Sequence, residues 1–207
     1  MCRIVQPHRL GIALALALTA AAPAAAGPSW HLGLRAGTFE PTASETYDTL
    51  WGETMVQLGV QAEARFERGW FVALSVDRGE ADGELVAPGP GGPIPTGEPT
   101  TLTLTPIHLT VGGIARRDRP WSFYFGGGPS LLQWEDDNAI APEDRSDNGF
   151  HAVIGLRRSF ARAGVAAEAR WSTIPDALGE GGVSAAFDED DLGGLALNLV
   201  LSFRLGG

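Results

Sequence analysis

The sequence predicts an all-β fold: eight antiparallel strands closed up-and-down into a transmembrane barrel with periplasmic termini, following a cleavable signal peptide. Three observations predict it. Eight segments alternate apolar with polar or small residues, the period of two that marks a strand with unlike faces. Their connections run long, short, long, short, long, short, long. The short ones are Glu67 to Gly69, Asp118 to Arg119 and Ala161 to Ala163; the long ones run Glu40 to Leu50, Gly79 to Thr100, Glu135 to Asp147 and Pro175 to Asp191. Every long connection falls at one end, the pattern of barrels with short periplasmic turns and longer extracellular loops. The third observation is the N-terminus, where Arg3, His8 and Arg9 precede the apolar run Leu10 to Leu18 and a small-residue stretch ending Ala24, Ala25, Ala26.

That layout predicts a signal peptide over 1–26, cleaved before Gly27, and a barrel domain over 27–207. The run is too short for a spanning helix, which needs about 20 apolar residues. Cys2 precedes the run, so it is badly placed for acylation, and the mature chain has no cysteine for a disulfide. Removing Arg3 and Arg9 takes the net charge from −10 to −12. Nucleic acid is excluded as a partner, because its binding proteins are basic.

The strands follow in order. From Trp30 to Phe39, Trp30, Leu32, Leu34 and Ala36 oppose His31, Gly33, Arg35 and Gly37. Thr54 to Phe66 sets Val56, Leu58 and Val60 against Gln57, Gln61, Glu63 and Arg65, and Trp70 onward sets Val72, Leu74 and Val76 against Ser75 and Asp77. In the fourth segment Ile107, Leu109 and Val111 oppose His108 and Thr110, after Pro106, where a bulge or rim is predicted because proline cannot donate to a ladder. The fifth pairs Trp121, Phe123, Phe125 and Leu131 with an opposite face of Ser122, Tyr124, Gly126, Gly128 and Ser130. The last three carry Phe150, Ala152, Ile154 and Leu156, then Val165, Ala167, Ala169 and Trp171, then Leu195 to Phe203, against His151, Arg157, Glu168, Arg170, Asn198 and Ser202.

Eight amphipathic strands with no helix to cover them must close on themselves, since hydrocarbon tolerates no open sheet edge. The aliphatic face is then outermost. Arg35, Glu63, Arg65, Asp77, His108, His151, Arg157, Glu168 and Arg170 fall on the other face, which predicts a paired polar plug filling a narrow lumen. Aromatic residues near strand ends predict two interfacial girdles. Trp30, Phe66, Trp70, Trp121, Phe160 and Phe203 would form the periplasmic one, and Trp51, Trp134, Phe150 and Trp171 the outer one.

In the signal peptide, the stretch Thr101 to Arg116, the glycine-rich Pro120 to Leu132 and the closing LALNLVLSFRL, the chain resembles the small OmpA-like, OmpX-like and OmpW-like outer-membrane barrels. The resemblance implies a Gram-negative outer-membrane location, contact with lipid and lipopolysaccharide, and handling by the outer-membrane assembly machinery. Members of that group usually end on an aromatic residue; here Phe203 is followed by Arg204, Leu205, Gly206 and Gly207.

Nineteen of the 25 acidic residues lie in the four long connections, whereas arginines gather at the opposite end, at Arg65, Arg68, Arg116, Arg117, Arg119, Arg158 and Arg162. Such runs usually form a solvated, self-repelling surface. The competing reading is weak Ca²⁺ or Mg²⁺ capture by Asp188, Asp190 and Asp191, although that run lacks the spacing of a calcium loop. His151 and Ser172 are predicted at similar heights on adjacent strands, a Ser/His pair without an orienting acid, and this is thin support for a lipid-modifying enzyme. Gly126, Gly127 and Gly128 open no helix and no lysine follows, so no cofactor is predicted. Pro88 to Pro99 reads as a mobile solvated loop. The function expected is a non-enzymatic surface protein serving envelope integrity, adhesion or interaction, with a narrow channel for small hydrophobic molecules as the alternative.

Overall fold

The computed structural model describes residues 27–52, 54–89, 92–116, 118–139, 142–178 and 187–205. The predicted signal peptide lies outside the described residues. Eight strands form a closed barrel in chain order: β1 (Ser29–Pro41), β2 (Met55–Arg65), β3 (Trp70–Gly89), β4 (Gly92–Ala115), β5 (Trp121–Asn138), β6 (Glu143–Ser159), β7 (Ala163–Thr173) and β8 (Gly194–Leu205). Each pairs antiparallel with its sequence neighbour, and β1 closes on β8 from Trp30↔Leu205 to Pro41↔Gly194. A short helix, α1 (Ser44–Leu50), lies between β1 and β2.

Parity decides what faces lipid. Leu34, Val56, Leu58, Val60, Val111, Phe125, Ile154, Leu197 and Leu199 are all more than half exposed, a patch no water-soluble monomer would carry. On β3 this band stops at Val76, because the next outward side chain is Arg78, exposed and bonded to Glu80 at 2.8 Å. At the edge that carries the termini and the short turns Trp30, Trp70, Trp121, Phe160 and Phe203 are exposed, Phe66 stacks on Trp70 at 3.6 Å, and Arg158 lies over both Trp121 and Phe160. Phe150 and Trp171 are exposed at the outer edge.

Trp134 and Trp51 do not join that outer girdle. Trp134 is 4% exposed and points into the lumen, and Trp51, at the end of α1, packs on the same interior cluster. The reason is parity: Trp134 shares a face with Ser130 and Leu132, four and two residues before it.

Two long connections are strand instead of loop. β2 and β7 have 11 residues each, about the length that crosses a bilayer, whereas β3 has 20 and β4 has 24. At about 3.3 Å per residue, β3 alone runs ~66 Å. It therefore continues with β4 as a two-stranded ribbon beyond the membrane, and β5 and β6 do the same more briefly. The proline-rich segment is the return strand of the first ribbon, with Val86↔Pro95 and Glu84↔Pro99 paired; its prolines suit a ribbon whose outer edges face solvent. Of the bulge or rim predicted at Pro106 the bulge is absent: Pro106 pairs with Leu132 in unbroken register, the shift in β3–β4 lies between Glu84 and Val86, and Pro106 instead adjoins Ile107, the partner of Val76, where the apolar band of β3 ends.

Candidate functional site

The lumen has two layers, and the one nearer the termini and short turns is ionic. Arg35 on β1 is its hub: Nε donates to Asp77 Oδ1 at 2.8 Å, Nη1 to Gln61 Oε1 at 2.9 Å and Nη2 to Glu168 Oε1 at 2.8 Å. Arg170 donates to Asp77 at 3.2 Å, to Ser75 at 3.1 Å and to Glu168 at 3.0 Å, while the Tyr124 hydroxyl donates to Glu168 at 2.9 Å. Closer to the short turns, Glu63 accepts both Nη groups of Arg157 at 3.1 and 2.8 Å, the Gln61 amide at 2.9 Å and Arg65 Nε. Arg157 also stacks over the Tyr124 ring at 4.6 Å. Six strands thus contribute to one network across the lumen. Burying charges is costly, and the cost is offset only where each finds partners of this kind.

The structure brings His108 and His151 together, with ring centroids 4.7 Å apart, but not as a catalytic pair. Ser130 sits between their Nδ1 atoms at 2.8 and 3.0 Å, and Thr110 meets His151 Nε2 at 2.8 Å. Ser172 does stand opposite His151 in the β6–β7 register, yet its hydroxyl bonds to Gly194 and both nitrogens of His151 are engaged elsewhere. No carboxylate bonds to either imidazole among the described residues. The members that sequence reasoning left out of the network, Gln61, Ser75, Tyr124, Thr110 and Ser130, sit on the same parity as the charges. That parity was their signal.

The outer layer is apolar, which corrects the expectation of a wholly polar plug. Phe39, Met55, Leu102, Leu104, Leu132, Trp134 and Ala196 turn inward above the charges, and Tyr47, Ile174, Ala177 and Leu192 pack down on them from the long connections. Strand tops that carry covering segments need a core to hold them. Two carboxylates fasten this lid. Glu189 accepts the Glu45 and Thr46 amides at the start of α1 at 3.2 and 2.8 Å. Asp191 accepts the Ile174 and Gly193 amides at 2.6 Å each and the Thr173 hydroxyl at 2.5 Å.

Asp191 is therefore committed to backbone donors, and its fellow cation candidates do not gather round it. Asp188 takes a left-handed conformation at φ 56°, and the Asp190 carbonyl accepts Ala177 at 2.9 Å. Among the described residues no three His, Cys, Asp or Glu side chains converge as metal ligands. Tyr47, in the lid, has its phenol pushed up to about 12, first by burial and then by Asp48.

Between the layers lies a cavity of about 20 Å³, lined by Phe39, Gln57, Asp77, His108, Arg170 and Leu192 among others. It has room for roughly one water. Larger spaces, about 390 and 260 Å³, open at the mouth beside Arg65 and Arg204, where the short turns and the termini lie.

A closed ring of eight strands, apolar outside and ionic within, defines a small integral barrel of the outer-membrane type. The chain belongs to the outer membrane protein beta-barrel domain family, whose model matches residues 10–203. The outer membrane is accordingly its location. Solved structures with the same fold include OprG of Pseudomonas aeruginosa (TM-score 0.61, 12% identity, 87% of this chain and 97% of that one) and the Neisserial surface protein A (0.58, 12%, 86% and 97%). Ail of Yersinia pestis, in complex with the heparin analogue sucrose octasulfate, is similar at TM-score 0.50 and 11% identity over 86% of this chain and 96% of its own. No curated protein sequence matches. At these identities the likeness is one of fold.

Proposed function

We propose that the protein is a non-enzymatic outer-membrane anchor with a sealed lumen, whose working surface is the acidic set of extracellular ribbons and loops. Double closure carries the reading: the Arg35–Asp77–Arg170–Glu168 network spans the lumen, the Leu102–Leu104–Trp134 cluster covers it, and only about 20 Å³ lies between. In planar bilayers the wild-type barrel gives no steady conductance. Steady single-channel steps would overturn the proposal.

The surface above the membrane is acidic, with Glu135, Asp137, Glu143 and Asp144 exposed on the second ribbon. Acidic surfaces repel polyanions, so the sulfated ligand bound by Ail is a poor model here, and basic protein surfaces or cation-bridged lipopolysaccharide fit better. Export through the leader at 1–26 and insertion by the assembly machinery complete this reading. A second reading, a conduit for small hydrophobic molecules, draws on the apolar outer lumen. It requires α1 and the segment around Ile174 and Leu192 to lift, and solute flux into vesicles would favour it.

A further inference from the structure

The interior charges do not balance. Four guanidiniums, those of Arg35, Arg65, Arg157 and Arg170, share three carboxylates, those of Glu63, Asp77 and Glu168. The surplus is at the end read as periplasmic, where among the described residues Arg65 and Arg157 pair with Glu63 alone. Arg65 Nη2 and Arg157 Nε have no hydrogen-bond partner among the described residues, although the side chains are only 17% and 3% exposed. Both line the mouth cavity of about 390 Å³, with Arg204 and the serines Ser29, Ser122 and Ser159. The adjoining cavity of about 260 Å³ shares Ser29, Arg65, Ser159 and Arg204 and adds His31 and Arg162. Arginines and serines supply most of the polar lining, beside apolar Phe66, Ile114 and Phe160. The carboxylates that reach the larger cavity, Glu67 and Asp118, belong to exposed turns.

We propose that the periplasmic mouth is a binding site for a phosphate-type oxyanion, held between Arg65 and Arg204 with Arg157 behind them and the serine hydroxyls around it. Such an ion supplies the fourth negative charge. Its several oxygens accept from guanidinium forks, the geometry for which arginine is suited better than lysine. Hydroxyl donors and the space available fit a tetrahedral group better than a carboxylate alone. The group could come from free phosphate in the periplasm or from a phospholipid headgroup reaching over the inner rim; the chemistry is shared. This site does not depend on the reading of the extracellular surface.

The test uses the folded barrel purified from membranes into dodecyl maltoside, which carries no phosphate, titrated with inorganic phosphate at constant ionic strength. Phosphorus NMR and the thermal midpoint follow binding, because a ligand selective for the folded state raises the midpoint with the logarithm of its concentration. Saturable binding is expected, weakened about tenfold or more by Arg65→Gln and by Arg204→Gln and changed less than about twofold by Arg119→Gln, an exposed arginine of the same rim. Arg204 is outside the ion network, so its variant tests the site even if Arg65→Gln fails to fold. Absence of saturable binding, or equal weakening by Arg119→Gln, would overturn the proposal. In phosphatidylglycerol nanodiscs, a titration that persists assigns the site to free phosphate, and one that is silenced assigns it to the headgroup.

Discussion

Removing the Glu63 carboxylate tests the network where it is thinnest. Glu63 is 2% exposed and serves Arg157 through two bonds, Arg65 through one and the Gln61 amide through another. In Glu63→Ala, Arg157 loses every carboxylate contact it has among the described residues while remaining 3% exposed. Arg65 is 17% exposed and borders the mouth cavity, so water replaces much of its loss. The cost is thus set by one stranded charge, about 3–5 kcal/mol. Glu63→Gln keeps an acceptor oxygen and loses less, about 1.5–3 kcal/mol, the worth of a hydrogen bond to a charged group. Urea unfolding of the barrel in lipid vesicles measures both. The decisive comparison is a double-mutant cycle with Arg157→Met: with both partners gone no charge is stranded, so the double variant is more stable than Glu63→Ala alone, by about 2 kcal/mol. Strict additivity of the two single changes would refute the ion-pair account, as would a cost below about 0.5 kcal/mol for Glu63→Ala.

Two further outcomes follow from the lid and the wall. The Tyr47 phenol titrates near 10.0 when free and about 12 when the lid is closed, so the neutral form is the one the fold favours. The stability this contributes is complete below pH 10 and is lost as pH rises toward 12, and it is measured as phenolate absorbance coupled to protease cleavage around α1. In Tyr47→Phe that alkaline loosening disappears; because the hydroxyl has no partner among the described residues, the variant is at least as stable at neutral pH. Gly155 gives room to the Tyr124 ring, which a Cβ would meet at 2.1 Å, so Gly155→Ala displaces Tyr124 from Glu168 at a cost of about 1–3 kcal/mol, read from the same urea transitions. A Gly155→Ala barrel with unchanged stability would show that Tyr124 has slack the packing does not suggest.

The wall of the barrel was legible because period-two alternation is a local property. Trp121, Phe123 and Phe125 against Ser122 and Tyr124 assign both faces of β5 without any knowledge of its neighbours. Where the alternation continued beyond the assumed strand end, the same rule would have turned Leu132 and Trp134 inward, but acids and prolines made those stretches read as loop. Glu135 to Asp137 and the prolines near Pro95 are compatible with strand only because a ribbon above the membrane has water on its faces. The lid was not legible. Its fasteners join Glu189 to Thr46 and Asp191 to Ile174, contacts across 143 and 17 residues that no local pattern announces. Pro106 suggested a bulge as one of two options for a related reason: a missing donor requires a gap in hydrogen bonding, not an extra residue, and β4 meets it by leaving Asp77 and Arg78 unpaired with it in register.

The two layers of the lumen follow from what each end has to hold. At the end that carries the termini the turns are short, as at Phe66 to Gly69, where the Gly69 amide bonds to the Phe66 carbonyl at 3.0 Å, and among the described residues no segment folds back to fill the bore. Long side chains anchored on facing strands must fill it, and arginine and glutamate do so while pairing with one another. At the outer end chain segments are available, and α1 with Ile174 and Leu192 fills the bore from above, so the strands there need only offer Phe39, Met55 and Leu104. Charge would be a poor choice at that level, because a lid that lifts would expose unpaired ions and one that closes would have to desolvate them again. An apolar seat has no such penalty and lets the lid close by burial alone. The ionic layer therefore fixes the barrel, and the apolar layer holds the surface that meets the outside.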